Sequence, residues 1–292
     1  CALIVLLTLG GIFVALIIGA LPIIQHMGLG LLYLDDWNPT QDVFGAIAPI
    51  YGTLITSILA LFFAVPIGIG VAIFLTEICP AALRRTIGTL VELLAGIPSI
   101  IYGIWGLFVF APWFKDNLQP LIIGLFSPIP GLSALFAGPP LGIGVFTASI
   151  VLAIMVLPFI TAVCRDVFET VPPVLKESAY GIGCTRWEVL WNVVIPYTRI
   201  GVIGGCMLAL GRALGETMAV TFVVGNAQRL SASFMQPGTT ISATIANEFG
   251  EATGGLYQSA FLALGLLLFL LTFIVLSCAR LMLSRLEKKA GS

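Results

Sequence analysis

Arg212 and Glu216 stand four positions apart in the stretch GRALGETMAV, inside a long apolar run. A guanidinium offers a planar fork of donors that suits the oxygens of an oxyanion. A carboxylate four residues along an α-helix shares its face and can pair with it. With the fifth apolar segment starting near Ile200, a rise of about 1.5 Å per residue puts Arg212 roughly 18 Å in, past the centre of a hydrocarbon layer of about 30 Å. A charge at that depth costs at least ~2.5–3.5 kcal/mol and faces a bundle interior or a wet cavity. Two readings stand side by side: a structural ion pair that locks the helix, and an anion station on a solute route. In the second, Glu216 moderates the Arg212 field so that a passing anion is not held too tightly.

The elements that must position this pair are membrane helices. Of the 292 residues, 59% are hydrophobic and only 9% charged, whereas a soluble domain carries about 25% charged residues. A net charge of −1 excludes a nucleic-acid binder built on bulk basicity. A membrane span needs about 20 apolar residues. Six segments qualify, near 3–25, 50–76, 87–112, 142–164, 200–225 and 256–279. The expected fold is therefore all-α, a polytopic bundle of six transmembrane helices. The first run, uncharged from Cys1 to Leu34, reads as a retained helix and not a signal peptide. Between Asn117 and the fourth segment, Pro120, Pro128, Pro130, Pro139 and Pro140 read as loop chemistry, with room for short surface helices but not a span. Arg84, Arg85, Arg165, Lys176, Arg186, Arg199 and the tail residues Arg280, Arg285, Lys288 and Lys289 fall on one side of this topology. The other side has Lys115 and Arg229 beside Asp35, Asp36, Asp42, Asp116, Glu248 and Glu251. The positive-inside rule then puts both termini in the cytosol.

The loop before the fifth segment reads VPPVLKESAYGIGCTRWEVLWNVVIPYTR. Pro172 and Pro173 suit a helix start, and Lys176 to Ile182 can form a short helix. Gly183 permits a sharp turn. Thr185 and Glu188 spell a capping box for a second helix, with Trp187, Leu190, Trp191 and Val194 expected to supply apolar contact. Pro196 allows a bend into the span. The loop is a helix–Gly–helix elbow, which either covers helix ends or docks a partner. Gly201, Gly205, Gly211 and Gly215 form two GxxxG pairs that favour close helix packing. Glu92 is the only charge in the third segment, suited to a gate partner but more readily to snorkelling or a local hydrogen bond, and the following Gly96–Pro98 region favours a kink.

Enzyme chemistry lacks its parts. Lys115, Lys176, Lys288 and Lys289 are followed by Asp, Glu, Lys and Ala, so no Walker A loop exists. His26 is the sole histidine, and there is no HExxH, GxSxG or CxxC pattern. No catalytic residue, metal or cofactor is expected in this chain. The six cysteines do not read as a disulfide framework, and nearly all of them read as small buried hydrophobes.

The elbow resembles the EAA motif of binding-protein-dependent ABC importer permeases: EAA, three residues, Gly, nine residues, then I-x-L-P. Glu177-Ser178-Ala179, Gly183 and Val193, Ile195 and Pro196 match at the right offsets, with Ser178 replacing the middle Ala. AGIPSIIYGIWGLFVFAP (95–112), KESAYGIGCTRWEV (176–189) and GRALGETMAV (211–220) together resemble phosphate-importer permeases of the PstC type, as do WNPTQDVFG (37–45) and ISATIANEFGEA (241–252). The resemblance implies a type I-like ABC permease core over 50–285, with a coupling loop at 171–199. A first helix and external loop over 1–49 precede it, and a cytosolic tail over 286–292 follows. It implies a bacterial inner-membrane subunit whose partners are a PstA-type sister permease, a PstB-type ATPase dimer holding ATP and Mg, and a PstS-type phosphate-binding protein. Glu177, Ser178, Ala179, Gly183 and Pro196 would couple to the ATPase. The glycine face of the fifth span would meet the sister permease, and phosphate would displace Glu216 from Arg212 in passing. A permease for sulfate or molybdate shares the elbow. A stand-alone secondary transporter would instead show inverted repeats.

Overall fold

The structure, a computed structural model, describes residues 2–252 and 254–290, and the backbone alone for Ala81 and residues 286–290. Cys1 and the end of the tail at 291–292 lie outside the described residues, as do the side chains of Lys288 and Lys289.

Long runs of Leu, Ile, Val and Ala give long helices. α1 (Ala2–Met27) leads, through a short turn of helix at Gly30–Tyr33, into a hairpin of β1 (Trp37–Asn38) and β2 (Val43–Phe44). The hairpin is antiparallel, with Trp37 opposite Phe44. α2 (Ile47–Ile78) ends in a π turn over Phe74–Ile78. α3 (Ala81–Ala95) and α4 (Ser99–Phe126) follow. Then come α5 (Val145–Glu169), α6 (Pro173–Gly181), α7 (Arg186–Leu214), α8 (Ile241–Glu248) and α9 (Gly255–Ala290). Among the described residues five helices are long and apolar enough to cross a membrane: α1, α2, α5, α7 and α9. The sixth expected span exists only as the pair α3 and α4.

Three expectations are corrected by the backbone. The third segment, 87–112, is not one helix. Gly96 N donates to the Leu93 carbonyl and Ile97 N to the Leu94 carbonyl, closing α3, and Pro98 both lacks a donor and disfavours helix in the residue before it. Pro120 does not begin a loop, because α4 runs on to Phe126. Pro112 and Pro120 each fall in the first turn of an α stretch that follows a π turn, at Gly106–Phe110 and Phe114–Leu118. The wide turn accommodates the missing donor and the ring. The fifth span is not 200–225: α7 starts in the elbow and stops at Leu214.

The chain divides into two compact units that interleave along the sequence. One holds residues up to Ser57, then Ser99–Val151 and Leu214–Ile274. Its core gathers Ala20, Ile23, Phe44, Ile241, Phe261 and Leu264, all essentially fully buried. A buried hydroxyl fastens the first helix: Ser259 Oγ donates to the Gly19 carbonyl at 2.7 Å and accepts from Ile23 N at 3.2 Å. Glu248 gathers three donors, Trp37 Nε1 at 2.8 Å, Tyr257 Oη at 3.0 Å and Gln228 Nε2 at 3.0 Å. Gly103 lets α4 press on the backbone beyond α7, since a Cβ there would lie 2.7 Å from the Met218 carbonyl oxygen. Much of α1 stays uncovered, with Leu3, Ile4, Leu6, Leu7 and Ile18 exposed. Apolar surface on that scale belongs against lipid or another protein.

The second unit holds Ile58–Pro98, Leu152–Ala213 and the chain from Val275. Gly68 of α2 meets Ile160 of α5, where a Cβ would come within 2.8 Å of the Ile160 methyl. Thr161 Oγ1 donates to the Gly68 carbonyl at 3.3 Å. Gly201 and Gly205 of α7 face Val167 and Val163 of α5, where a Cβ would meet the valine methyls at 2.6 and 2.7 Å. Gly211 faces Leu276 of α9. These glycines of the GxxxG series therefore serve contacts within the chain. Gly215 lies beyond the end of α7 and is not part of a helical face.

Candidate functional site

Arg212 occupies the last turn of α7, near a helix C-terminus, where the backbone dipole favours a cation. Its side chain is exposed, and its guanidinium carbon lies 6.0 Å from the centre of the Phe159 ring of α5. That is the outer limit of a cation–π contact. Among the described residues the guanidinium takes part in no ion pair or hydrogen bond, so its donor fork is available.

Glu216 does not continue the helix. α7 stops at Leu214, so Arg212 and Glu216 are not stacked one turn apart on a helical face, and the expected pair is not formed. Gly215 is the break, a residue with little to hold it in a helix. Glu216 Oε1 instead accepts from the Ala219 backbone N–H at 3.3 Å, capping a short turn at Met218–Thr221. Thr221 Oγ1 closes the same turn by donating to the Thr217 carbonyl at 2.7 Å. Ala219 and Val220 are buried, and Gly103 makes room for this turn. Glu216 thus has a local structural partner, and the idea that an anion must pull it from Arg212 loses its starting geometry.

The elbow forms as its residues dictate. Pro173 opens α6 in the first turn, where a missing donor is harmless. Gly183 turns the chain with φ of 94°, in the left-handed region that favours glycine. Thr185 and Glu188 make the full capping box: the Glu188 carboxylate accepts from Thr185 N at 2.6 Å, and Thr185 Oγ1 accepts from Glu188 N at 3.4 Å. Glu177 and Ser178 are exposed, Ala179 is buried, and Pro196 is exposed just after a π turn at Leu190–Val194. Ser178 Oγ donates back to the Val174 carbonyl at 2.7 Å, which spends its hydroxyl on its own helix. The expected apolar contacts split by face. Val189, Leu190 and Val194 are buried, but Trp187 and Trp191, one turn apart, remain 63% and 62% exposed. Ile182 is 83% exposed beside them. This is an unpartnered apolar surface at the tip of the elbow.

Two ion pairs that sequence reasoning missed stand near the elbow. Lys176 Nζ lies 2.5 Å from Glu77 Oε1, joining α6 to the end of α2. Arg165 Nη2 of α5 lies 2.5 Å from Glu92 Oε1 of α3 and 3.0 Å from Asp166 Oδ1. Gly88 leaves space for that guanidinium, because a Cβ there would sit 2.8 Å from Nη1. Glu92, read as a gate partner, a snorkelling charge or a local hydrogen bond, instead pairs with Arg165, 73 residues along the chain. The signal for Glu77 was in plain view: an acid in the last turn of an apolar helix opposes the dipole and calls for a cation. No group of three or more His, Cys, Asp or Glu suited to a metal occurs among the described residues.

Long apolar helices, a capped elbow and a cationic helix end are features of a membrane transport subunit. The chain belongs to the family described as binding-protein-dependent transport system inner membrane component, whose pattern matches residues 64–288. It is a multi-pass membrane protein. Among curated proteins it is 63% identical over 291 residues to the phosphate transport system permease protein PstC of Mesorhizobium japonicum, covering 100% of this chain and 89% of that one. The PstC of Pasteurella multocida is 58% identical over 290 residues, covering 99% and 90%. Solved structures agree in fold. The MetNI methionine ABC transporter in an inward-facing conformation matches with TM-score 0.59 at 17% identity, over 86% of this chain and 99% of that one. A bacterial alginate ABC transporter in complex with an alginate pentasaccharide-bound periplasmic protein matches with TM-score 0.62 at 18% identity, over 92% and 88%. At such identities the likeness shows the fold alone, one shared with these ABC transporter chains.

Proposed function

We propose that this chain is the permease subunit of an ATP-driven phosphate importer. The observation that carries the reading is the 63% identity, along the whole chain, to a protein named as a phosphate transport system permease. The subunit works in a bacterial inner membrane with both termini in the cytosol. A homologous sister permease completes the pathway, an extracytoplasmic binding protein delivers phosphate, and an ATPase pair holding ATP and Mg drives the cycle. The elbow docks on the ATPase through α6 and the apolar tip of Ile182, Trp187 and Trp191, whose exposure supports a missing partner. Arg212 is the anion station: its fork is unpaired by protein acids and sits at the dipole-favoured end of α7. Glu216 shapes the neighbouring turn, and its charge limits how tightly an anion is held.

The test uses vesicles holding the complete complex, with ATP inside and loaded binding protein outside. Phosphate uptake and phosphate-stimulated ATP hydrolysis are expected, with neither sulfate nor molybdate replacing phosphate. Equal uptake of sulfate would assign the subunit to a general oxyanion importer. Uptake without a co-purifying ATPase would mark a secondary transporter.

A further inference from the structure

We propose that the Lys176–Glu77 ion pair is the positioning contact that carries displacement of the elbow helix α6 into the end of α2. The inference rests on the reading of the elbow as the docking site of an ATPase, and deepens it.

Several observations converge on this pair. Lys176 is on α6, directly before Glu177, and its Nζ reaches Glu77 Oε1 across 99 residues of sequence. The two side chains are 22% and 14% exposed, so both ends are partly shielded from water. The Arg165–Glu92 pair differs, because Glu92 is 48% exposed. Shielding matters because an exposed pair is loose and screened, whereas removing one partner of a shielded pair strands the other charge. Glu77 has a second reason to need its cation. It lies in the final turn of α2, where the carbonyl ends carry partial negative charge and a carboxylate is disfavoured. Among the described residues no other cation pairs with Glu77. Its place is therefore explained by Lys176 and by nothing else in α2.

The surroundings make the pair a mechanical link. α6 presents Val174 outward, at 68% exposure, and turns Ala179 inward. Lys176 and Ala179 are three apart and share the inner face. On the other side, the last turn of α2 is held tightly. Leu75 and Thr76 are buried, and Thr76 Oγ1 donates to the Ala72 carbonyl at 3.1 Å. Cys79 N, just after the turn, donates to the Phe74 carbonyl at 2.7 Å. A push on the outer face of α6 thus meets a short ionic strut and then a rigid helix end. Apolar contact alone lets α6 slide; a partly shielded charge pair resists separation of its two ends.

The test has two arms. In the first, the purified wild-type chain and Lys176→Met are compared by hydrogen exchange at residues 74–79. Stranding Glu77 is expected to speed exchange there by about tenfold or more; unchanged exchange overturns the strut. This arm needs no ATPase. In the second, vesicles with the full complex report phosphate moved per ATP hydrolysed. Lys176→Glu and Glu77→Lys are each expected to lower that ratio by about tenfold while ATP hydrolysis persists. Lys176→Arg should stay near wild type, and the charge-swapped double variant should recover most of the ratio. A Lys176→Glu complex with the wild-type ratio, or a swap no better than the single changes, overturns the proposal. If a single variant fails to assemble, assembly and coupling regained by the swap support the pair, and their absence counts against it. Failure of the wild-type complex to hydrolyse ATP sinks the importer reading instead, and the exchange arm then decides the ionic contact on its own.

Discussion

Arg212 and Glu216 show how two residues can be found from type and spacing while their relation is missed. Arg212→Lys keeps the charge but loses the planar fork. Uptake should fall by about tenfold or more, the scale of one charge-assisted hydrogen bond at about 1.5–3 kcal/mol. Arg212→Gln should abolish uptake while the complex still assembles. Wild-type uptake rates in either purified variant would remove Arg212 from the pathway. Glu216 separates charge from capping. Glu216→Gln retains an acceptor for the Ala219 N–H and should shift stability by no more than about 0.5 kcal/mol. Glu216→Ala loses the cap and should cost roughly 0.5–2 kcal/mol in a thermal or denaturant titration of the purified chain. If Glu216→Gln nonetheless alters uptake, the carboxylate charge acts on the anion and not only on the turn. The sequence made both residues conspicuous because each charge interrupts an apolar run. It did not disclose the helix end at Leu214, because Met218 to Val224 restores the apolar pattern and hydropathy is blind to a change of direction.

Among the elements, the elbow was the most legible. Its turn, its cap and its two helices follow from Pro173, Gly183, Thr185 and Glu188, all local effects within one or two turns of helix. Thr185→Ala should cost about 1 kcal/mol and fray the start of α7, read as faster exchange at residues 186–189. The broken third span was half legible: Gly96 and Pro98 announce a break, but not that α4 then continues through two more prolines. Tertiary approach was not legible at all. Gly103 and Gly205 look alike in the sequence, yet a Cβ at Gly103 strikes the backbone oxygen of Met218 and one at Gly205 strikes a valine methyl. A side chain can rotate away and a carbonyl cannot. Gly103→Ala should therefore destabilise more than Gly205→Ala, within the overpacking range of about 1–3 kcal/mol. Equal melting shifts for the two variants would contradict that ranking. Lys176 and Glu77 belong with this group, since no spacing rule links residues so far apart.

For the molecule as a whole, the proposed orientation is tested by side-selective labelling. In a background with the other cysteines replaced by serine, Cys184 on the elbow should react with an impermeant maleimide only from the cytosolic face. An Asp42→Cys variant on the hairpin should react only from outside. The reverse pattern would invert the topology. The bonds of Ser259 to the first helix set a timetable as well. Ile23 and Ser259 are 236 residues apart, and Trp37 waits for Glu248 across 211. At a synthesis rate of about 5–20 residues per second, the first helix has been in the bilayer for roughly 10–50 s before its permanent neighbours exist. During that interval its oily flank has only lipid, or an attendant protein, for company. Formation of these contacts is thus among the last events of biogenesis, and a chain cut short before α9 lacks the Ser259 bonds to its first helix.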